Sequence, residues 1–198
     1  MADASDYTGI RLWIVTGREK VVEESEEEQK RQLIGNVLHK AIELLLKYAP
    51  YNSENLVDFA ERSIQAAWAI LSRDREVPDY TEKESLEIQQ EAKEILEKAL
   101  SHEEISNLLR DGEDDTTVRS EVEIIDERSR TFRIDLMRIK PSLKSIEVVD
   151  FKTHRIDPEK TRNQLTQYVR IVKRAFGPSW EVKGIVAYLD PPKVEEVL

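Results

Sequence analysis

Val148-Val149-Asp150-Phe151-Lys152-Thr153 is the stretch on which the fold turns. Two consecutive valines are apolar on both faces, as a strand in the middle of a sheet requires. Side chains on a strand alternate, so Asp150 and Lys152 project from one side about 7 Å apart while Phe151 faces the other way. An Asp-x-Lys at a strand end is also an ordinary way to finish a half-exposed strand. Its position directly after core residues argues for more, because an ionised carboxylate there is costly unless it is paired or bound to a cation. Asp135, following Phe132 and Ile134, repeats the situation. If 130–139 and 145–152 pair as a hairpin turning near Pro141-Ser142-Leu143, Asp135 can lie near Asp150. Together they would offer a divalent cation two hard oxygen ligands, with Lys152 beside them.

Outward from this hairpin the pattern alternates helices and strands. Ser25-x-x-Glu28 can form a capping box, after which Leu33, Val37, Ala41, Leu44 and Leu45 give the apolar stripe of a long helix ending near Tyr48, before Pro50. Gly35, His39 and Glu43 recur every fourth residue on one face, and Gly35 would permit a close approach of a neighbouring backbone or nucleic acid. Asn55 to Arg73 and Glu82 to Leu100 make two more amphipathic helices separated by Pro78, and Ser101-x-x-Glu104 predicts the cap of a fourth ending at Asp111-Gly112. Val118, Ser120, Val122 and Ile124 alternate with polar residues as a half-buried strand. A helix is expected from Pro158 to Phe176, stopped by Gly177-Pro178, and a last strand from Glu181 to Leu189. Gln164 and Tyr168 stand one turn apart on that helix and can point at one place. The expected fold is α/β, a central mixed sheet flanked by helices. It forms a single domain over 1–198, with a disordered lead-in at 1–9, an inserted helical layer at 53–112 and the sheet with its Gln-x-x-x-Tyr helix at 113–190.

Gly35-x-x-x-His39, Ile134-Asp135, Asp150-Phe151-Lys152 and Gln164-x-x-x-Tyr168, in that order and spacing, resemble the motifs of the PD-(D/E)xK nucleases, and within them the RecB/AddA-type nuclease domain. The resemblance covers most of the chain and implies a restriction-endonuclease-like core. It further implies metal-dependent hydrolysis of DNA phosphodiesters, with an exonuclease working in repair and recombination as part of, or excised from, a helicase-nuclease. Asp135, Asp150, Lys152, Gln164 and Tyr168 would then be the catalytic set. Mg²⁺ or Mn²⁺ would be held by Asp135, Asp150, His39 and the Phe151 carbonyl, with an extra acid from Glu121 or Glu123. The family's Ser/Arg-Glu-Val pattern favours Glu121. A helical histidine beside an apolar stripe is otherwise a hydrogen-bonded boundary residue, so the ligand role of His39 belongs to the resemblance. Phe132 stands where the family usually carries glycine, and Leu136 where RecB-like members often have a polar or basic residue.

Composition narrows these expectations. The chain has no cysteine, which excludes disulfides, thiolate metal sites and the iron-sulfur cluster of some nucleases of the same superfamily. No apolar run is long enough to span a bilayer and no signal segment is present, so a cytoplasmic protein without membrane attachment is expected. The net charge of -10 opposes contact with DNA phosphates, yet it is unevenly spread. From Glu82 to Asp115 there are 12 acids against 4 bases, whereas from Asp150 to Lys183 there are 8 bases against 4 acids. DNA would therefore meet the C-terminal third, with Arg162, Arg170, Lys173 and Arg174 as candidate phosphate contacts. The acidic middle is a solvated helix face or a surface for a partner, and a helicase module that grips the DNA would offset weak intrinsic affinity by tethering the nuclease. The competing reading is a non-catalytic DNA-binding or assembly module that keeps the nuclease fold.

Overall fold

The computed structural model describes residues 13–15, 18–20, 25–48, 56–110 and 115–198. The lead-in expected at 1–9, the stop at Pro50 and the helix end at Asp111-Gly112 lie outside them. β1 (Trp13–Val15) pairs antiparallel with β2 (Arg18–Lys20) in a ribbon of its own. Next come α1 (Glu26–Tyr48), α2 (Ala60–Arg73, entered through a 3-10 turn at Leu56–Phe59), α3 (Glu82–Leu100) and α4 (Glu103–Leu109). The rest is β3 (Thr117–Ile125), β4 (Thr131–Lys140), β5 (Ser145–Lys152), α5 (Pro158–Phe176), β6 (Glu181–Leu189) and β7 (Pro192–Glu196).

β3 to β7 form one sheet in sequence order, antiparallel throughout except for β5 and β6, which run parallel because α5 carries the chain back between them. The expected mixed sheet flanked by helices is thus the observed architecture. It extends one strand further than the sequence reading placed it, since β7 pairs with the exposed edge of β6. One face packs on α1 to α4 through Leu136, Val149, Phe151, Ile185, Ala187 and Leu189. The other packs on α5 through Ile134, Met137, Ile146, Val148, Val186 and Tyr188 against Leu165, Tyr168 and Val172.

Local chemistry accounts for most helix ends. Glu28 N–H donates to Ser25 Oγ and Ser25 N–H to Glu28, the reciprocal cap expected for α1. The apolar stripe of α1 is buried as its spacing predicts. Asp157 caps α5, accepting from Lys160 N–H at 2.9 Å, with Pro158 in the first turn. The cap expected at Ser101 does not form. The Ser101 hydroxyl instead bonds back to the Glu97 carbonyl at 2.8 Å, closing α3, and α4 starts after His102 without a side-chain cap. The capping box in this region belongs to Thr81 and Glu84 at the head of α3.

The alternation expected along β3 is also interrupted. Val118 packs toward α1 to α4, but Val122 and Ile124 pack toward α5, because Glu121 between them takes a left-handed backbone with φ of 52°. β4 changes phase at the facing position: Phe132 and Ile134 point to α5, whereas Leu136 points to α1 to α4. Strand Ser120 pairs with Leu136 and Val122 with Ile134, so Glu121 and Asp135 stand opposite each other where both strands turn over. A left-handed conformation costs a residue with a Cβ roughly 1–2 kcal/mol. Glycine normally weakens a strand relative to alanine, but here the order should reverse. Glu121→Gly is expected to be more stable than Glu121→Ala by about 1 kcal/mol in chemical denaturation. Equal stability, or the ordinary strand order, would contradict the turned-over backbone.

Candidate active site

The motif residues gather where β5 outruns β4. The ladder between these strands runs from Lys140 and Ser145 to Leu136 and Val149. One position further, Asp135 Oδ2 accepts the Phe151 N–H at 2.8 Å, so a carboxylate stands where a strand carbonyl would otherwise serve. On its other side β5 stays paired with β6 as far as Lys152 and Tyr188. Phe151 drives its ring into the core on the α1 side, 1% exposed, which fixes Asp150 and Lys152 on the opposite face.

Asp150 is 2% exposed. Its Oδ1 accepts from Gln164 Nε2 at 3.3 Å, and the same amide donates to the Tyr168 hydroxyl at 2.7 Å. Oδ2 lies 2.7 Å from Lys152 Nζ without the angles of a hydrogen bond, and it is otherwise buried and unpartnered. Burial, and then the charge of Asp135, pushes the Asp150 carboxyl up to about 6, against the opposing pull of Lys152 and His39. Burial likewise holds the Tyr168 phenol above its usual range. The Phe132 ring sits edge-on to Tyr168 at 6.1 Å, so the aromatic residue found in place of the family's glycine braces the Gln-x-x-x-Tyr pair.

From the other face α1 delivers His39, whose Nδ1 stands 3.6 Å from Asp135 Oδ2. Burial works against the imidazolium, but the Asp135 carboxylate outweighs it and the ring titrates above its ordinary value. Gly35 faces the residue just after β5: a Cβ there would lie 3.5 Å from Thr153 Oγ1. That is ordinary contact, so α1 does approach the strand end, but a methyl group would fit.

Glu121 pairs with Arg133 at 2.7 Å. Burial raises its carboxyl against the pull of Arg133, and the charges of Asp135 and Glu43 raise it further. Glu43, itself bound to Lys40 at 2.6 Å, thus belongs to this acidic group. No role was assigned to it from sequence, although its spacing of four from His39 was the available signal. Glu123, two residues on, is exposed and lies opposite Arg133 in the ladder. Of the four basic residues expected on α5, Arg170 and Arg174 line an open groove with the β3–β4 turn, while Arg162 and Lys173 are exposed outside it.

Among the described residues no three His, Asp or Glu side chains are drawn together closely enough to hold a metal ion as they stand. The donor chemistry nevertheless fits one. Asp135 and Asp150 supply hard oxygens and His39 an imidazole, and the buried Asp150 Oδ2 lacks a hydrogen bond and meets only an ammonium group. A cation there would satisfy the orphaned oxygen as Lys152 moves aside.

The buried charge carries a testable consequence. The Asp150 proton stabilises the fold fully below the ordinary carboxyl value of 3.8, and that contribution is lost as pH rises through about 6. Asp150→Asn, measured in EDTA, should therefore raise stability at neutral pH by about 1–3 kcal/mol, and the gain should vanish below about pH 4. A variant no more stable than the parent at pH 7.5 would contradict the raised titration.

A buried Asp-x-Lys on the strand end, an acid on the neighbouring strand, a helical histidine and a Gln-x-x-x-Tyr helix therefore converge from four separate elements. No curated protein gives a significant match to the chain. The sequence profile described as the PD-(D/E)XK nuclease superfamily matches residues 11–197, nearly the whole length, and the order of motifs and the mixed sheet accord with it. The chain belongs to the PD-(D/E)XK nuclease superfamily.

Proposed function

We propose that this chain is a metal-dependent deoxyribonuclease, an exonuclease of the RecB/AddA type that acts in DNA repair and recombination beside a helicase module. The observation that carries the nuclease reading is Asp150, an almost fully buried carboxylate with one oxygen left without a hydrogen bond, flanked by Lys152, Asp135 and His39. A side chain kept in a state so costly to the fold is a mark of a working site. The repair role, the exonuclease mode and the helicase partner rest on the motif resemblance. In this reading the described residues form one domain, with the α2 to α4 layer as an insertion ahead of the catalytic sheet.

Asp135, Asp150 and His39 would hold Mg²⁺ or Mn²⁺, aided by Glu121 and the Phe151 carbonyl. When bound, the ion supplies polarisation of the phosphoryl oxygen and a lowered water pKa. Lys152, freed from Asp150, places its ammonium against the charge that grows on the phosphoryl oxygens. Gln164 holds Asp150 in its rotamer and is itself held by Tyr168. Asp135, by bonding Phe151 N–H, locks the strand end that carries Asp150 and Lys152. Hydrolysis forms a bond from water oxygen to phosphorus and breaks the bond to the 3′ oxygen, leaving a 5′-phosphate and a 3′-hydroxyl.

The test is incubation of the purified protein with end-labelled single- and double-stranded DNA in Mg²⁺, Mn²⁺ or EDTA. Cleavage is expected with metal only, with loss of at least about a hundredfold in Lys152→Ala, the scale of removing one transition-state contact. Shortening from an end separates exonuclease from internal cutting, and cleavage that survives EDTA or the lysine variant would refute the mechanism.

Metal binding should also follow pH. Asp150 and His39 must both lose protons that they hold above their ordinary values. Calorimetry should therefore show Mn²⁺ affinity rising as the pH is raised from about 5.5 to about 8. A flat profile would exclude these residues as ligands.

A further inference from the structure

Among the described residues an open groove stands apart from the carboxylates. It lies between the β3–β4 turn and α5, encloses about 820 Å³ and is lined by Arg128, Arg130, Arg170 and Arg174 together with Asp126 and Glu127. A second hollow of about 330 Å³ shares Arg130 and Arg170 and adds Asn163, Thr166 and Gln167. On α5 these residues are 163, 166, 167, 170 and 174, a single helical stripe. In a chain of net charge -10, four guanidinium groups are concentrated in one place.

The turn that presents them is held firmly. Asp126 accepts from the backbone N–H of Arg128 and Arg130 at 2.9 Å each, and grips the Arg130 guanidinium at 2.6 Å. Arg130 in turn lies over the Phe132 ring at 5.4 Å. Glu127 reaches across the groove to pair with Arg174. Both acids are thus engaged, and among the described residues no acid pairs with Arg128 or Arg170. The groove is also joined to the catalytic centre by an unbroken series of contacts: Asp150 to Gln164, Gln164 to Tyr168, Tyr168 to Phe132, and Phe132 to Arg130.

We propose that this groove is a second subsite, which holds the phosphodiester backbone of the DNA strand running on from the scissile phosphate. The inference rests on the nuclease reading above and adds where the rest of the substrate lies. From Gln164 to Arg174 the helix rises about 15 Å, which spans about four nucleotides at the spacing of one strand of a duplex. Guanidinium groups suit phosphate oxygens, with the amides of Asn163 and Gln167 beside them. No residue lining either hollow is aromatic, so the groove offers no stacking platform and should read backbone rather than base. Glu127 occupies Arg174 until a phosphate displaces it.

The experiment is fluorescence anisotropy with a labelled single-stranded oligonucleotide of about 20 nucleotides in EDTA, repeated from about 50 to 200 mM salt. Arg128→Ala and Arg170→Ala should each weaken binding several-fold and lower the salt slope by about 0.7. Glu127→Gln, which releases Arg174, should tighten it. All three positions are exposed, so the fold is not at stake, and the Glu127 variant moves the readout in the opposite direction. In the cleavage assay the two arginine losses should appear in KM for the long strand and not for a trinucleotide. Unchanged affinity and slope in both arginine variants would overturn the subsite even if the protein cuts DNA. Arginine-dependent binding by a protein that never cuts would leave the groove standing and defeat the nuclease reading instead.

Discussion

Everything at this site depends on how the sheet is allowed to come apart. β5 must carry Asp150 and Lys152 past the point where β4 stops supporting it, and a strand end with an open N–H would fray into water. Asp135 resolves this by lending its own carboxylate to Phe151 N–H. A hydrogen bond to a charged acceptor is worth roughly 1.5–3 kcal/mol when buried, enough to hold the strand end in place. The same side chain also presents negative charge to His39 and Asp150. One residue therefore closes the backbone and builds the electrostatic field.

The two faces of the sheet divide the remaining work. On one side α1 to α4 bury an apolar layer and set His39 at the edge of it. On the other α5 lays Leu165 and Val172 on the sheet and turns Gln164 and Tyr168 toward the strand end. Three unfavourable features meet at the seam between them: a left-handed Glu121, a carboxyl pushed up to about 6 and a buried oxygen without a hydrogen bond. Such strain persists because well-packed neighbours on both faces leave the seam no other conformation. Phe151, buried among the α1 side residues, is the anchor that prevents β5 from rotating its charges outward.

The acidic excess of the chain is likewise partitioned. Much of it lies on α3, where Lys93 joins Glu61 of α2 and Lys30 of α1 joins Glu91. These exposed pairs contribute little to stability, and their separation from the arginine-lined turn matters more. With acids on one helical layer and guanidinium groups on α5 and the β3–β4 turn, a negative chain can still present a positive face to phosphates.

Periodicity and turn chemistry, both properties of neighbouring residues, were enough to read from sequence the long helices, the β4–β5 hairpin, the α5 boundaries and the placement of Asp150 and Lys152 on one side of a strand. The meeting of Asp135, Asp150, His39 and Gln164 was legible as motif order, since each sits at a predictable end of its element. Other features came only with the tertiary structure. Ser101 prefers the Glu97 carbonyl to a cap of its own, β7 exists because β6 has an edge to cover, and Glu43 joins the acidic group because α1 crosses β3. The reversal of faces at Glu121 and Asp135 is the plainest case. Nothing in Ser-Glu-Val asks for a left-handed backbone, and the conformation arises because one strand must pack against α1 at one end and α5 at the other. Such a demand is set by distant partners, and the local sequence carries no mark of it.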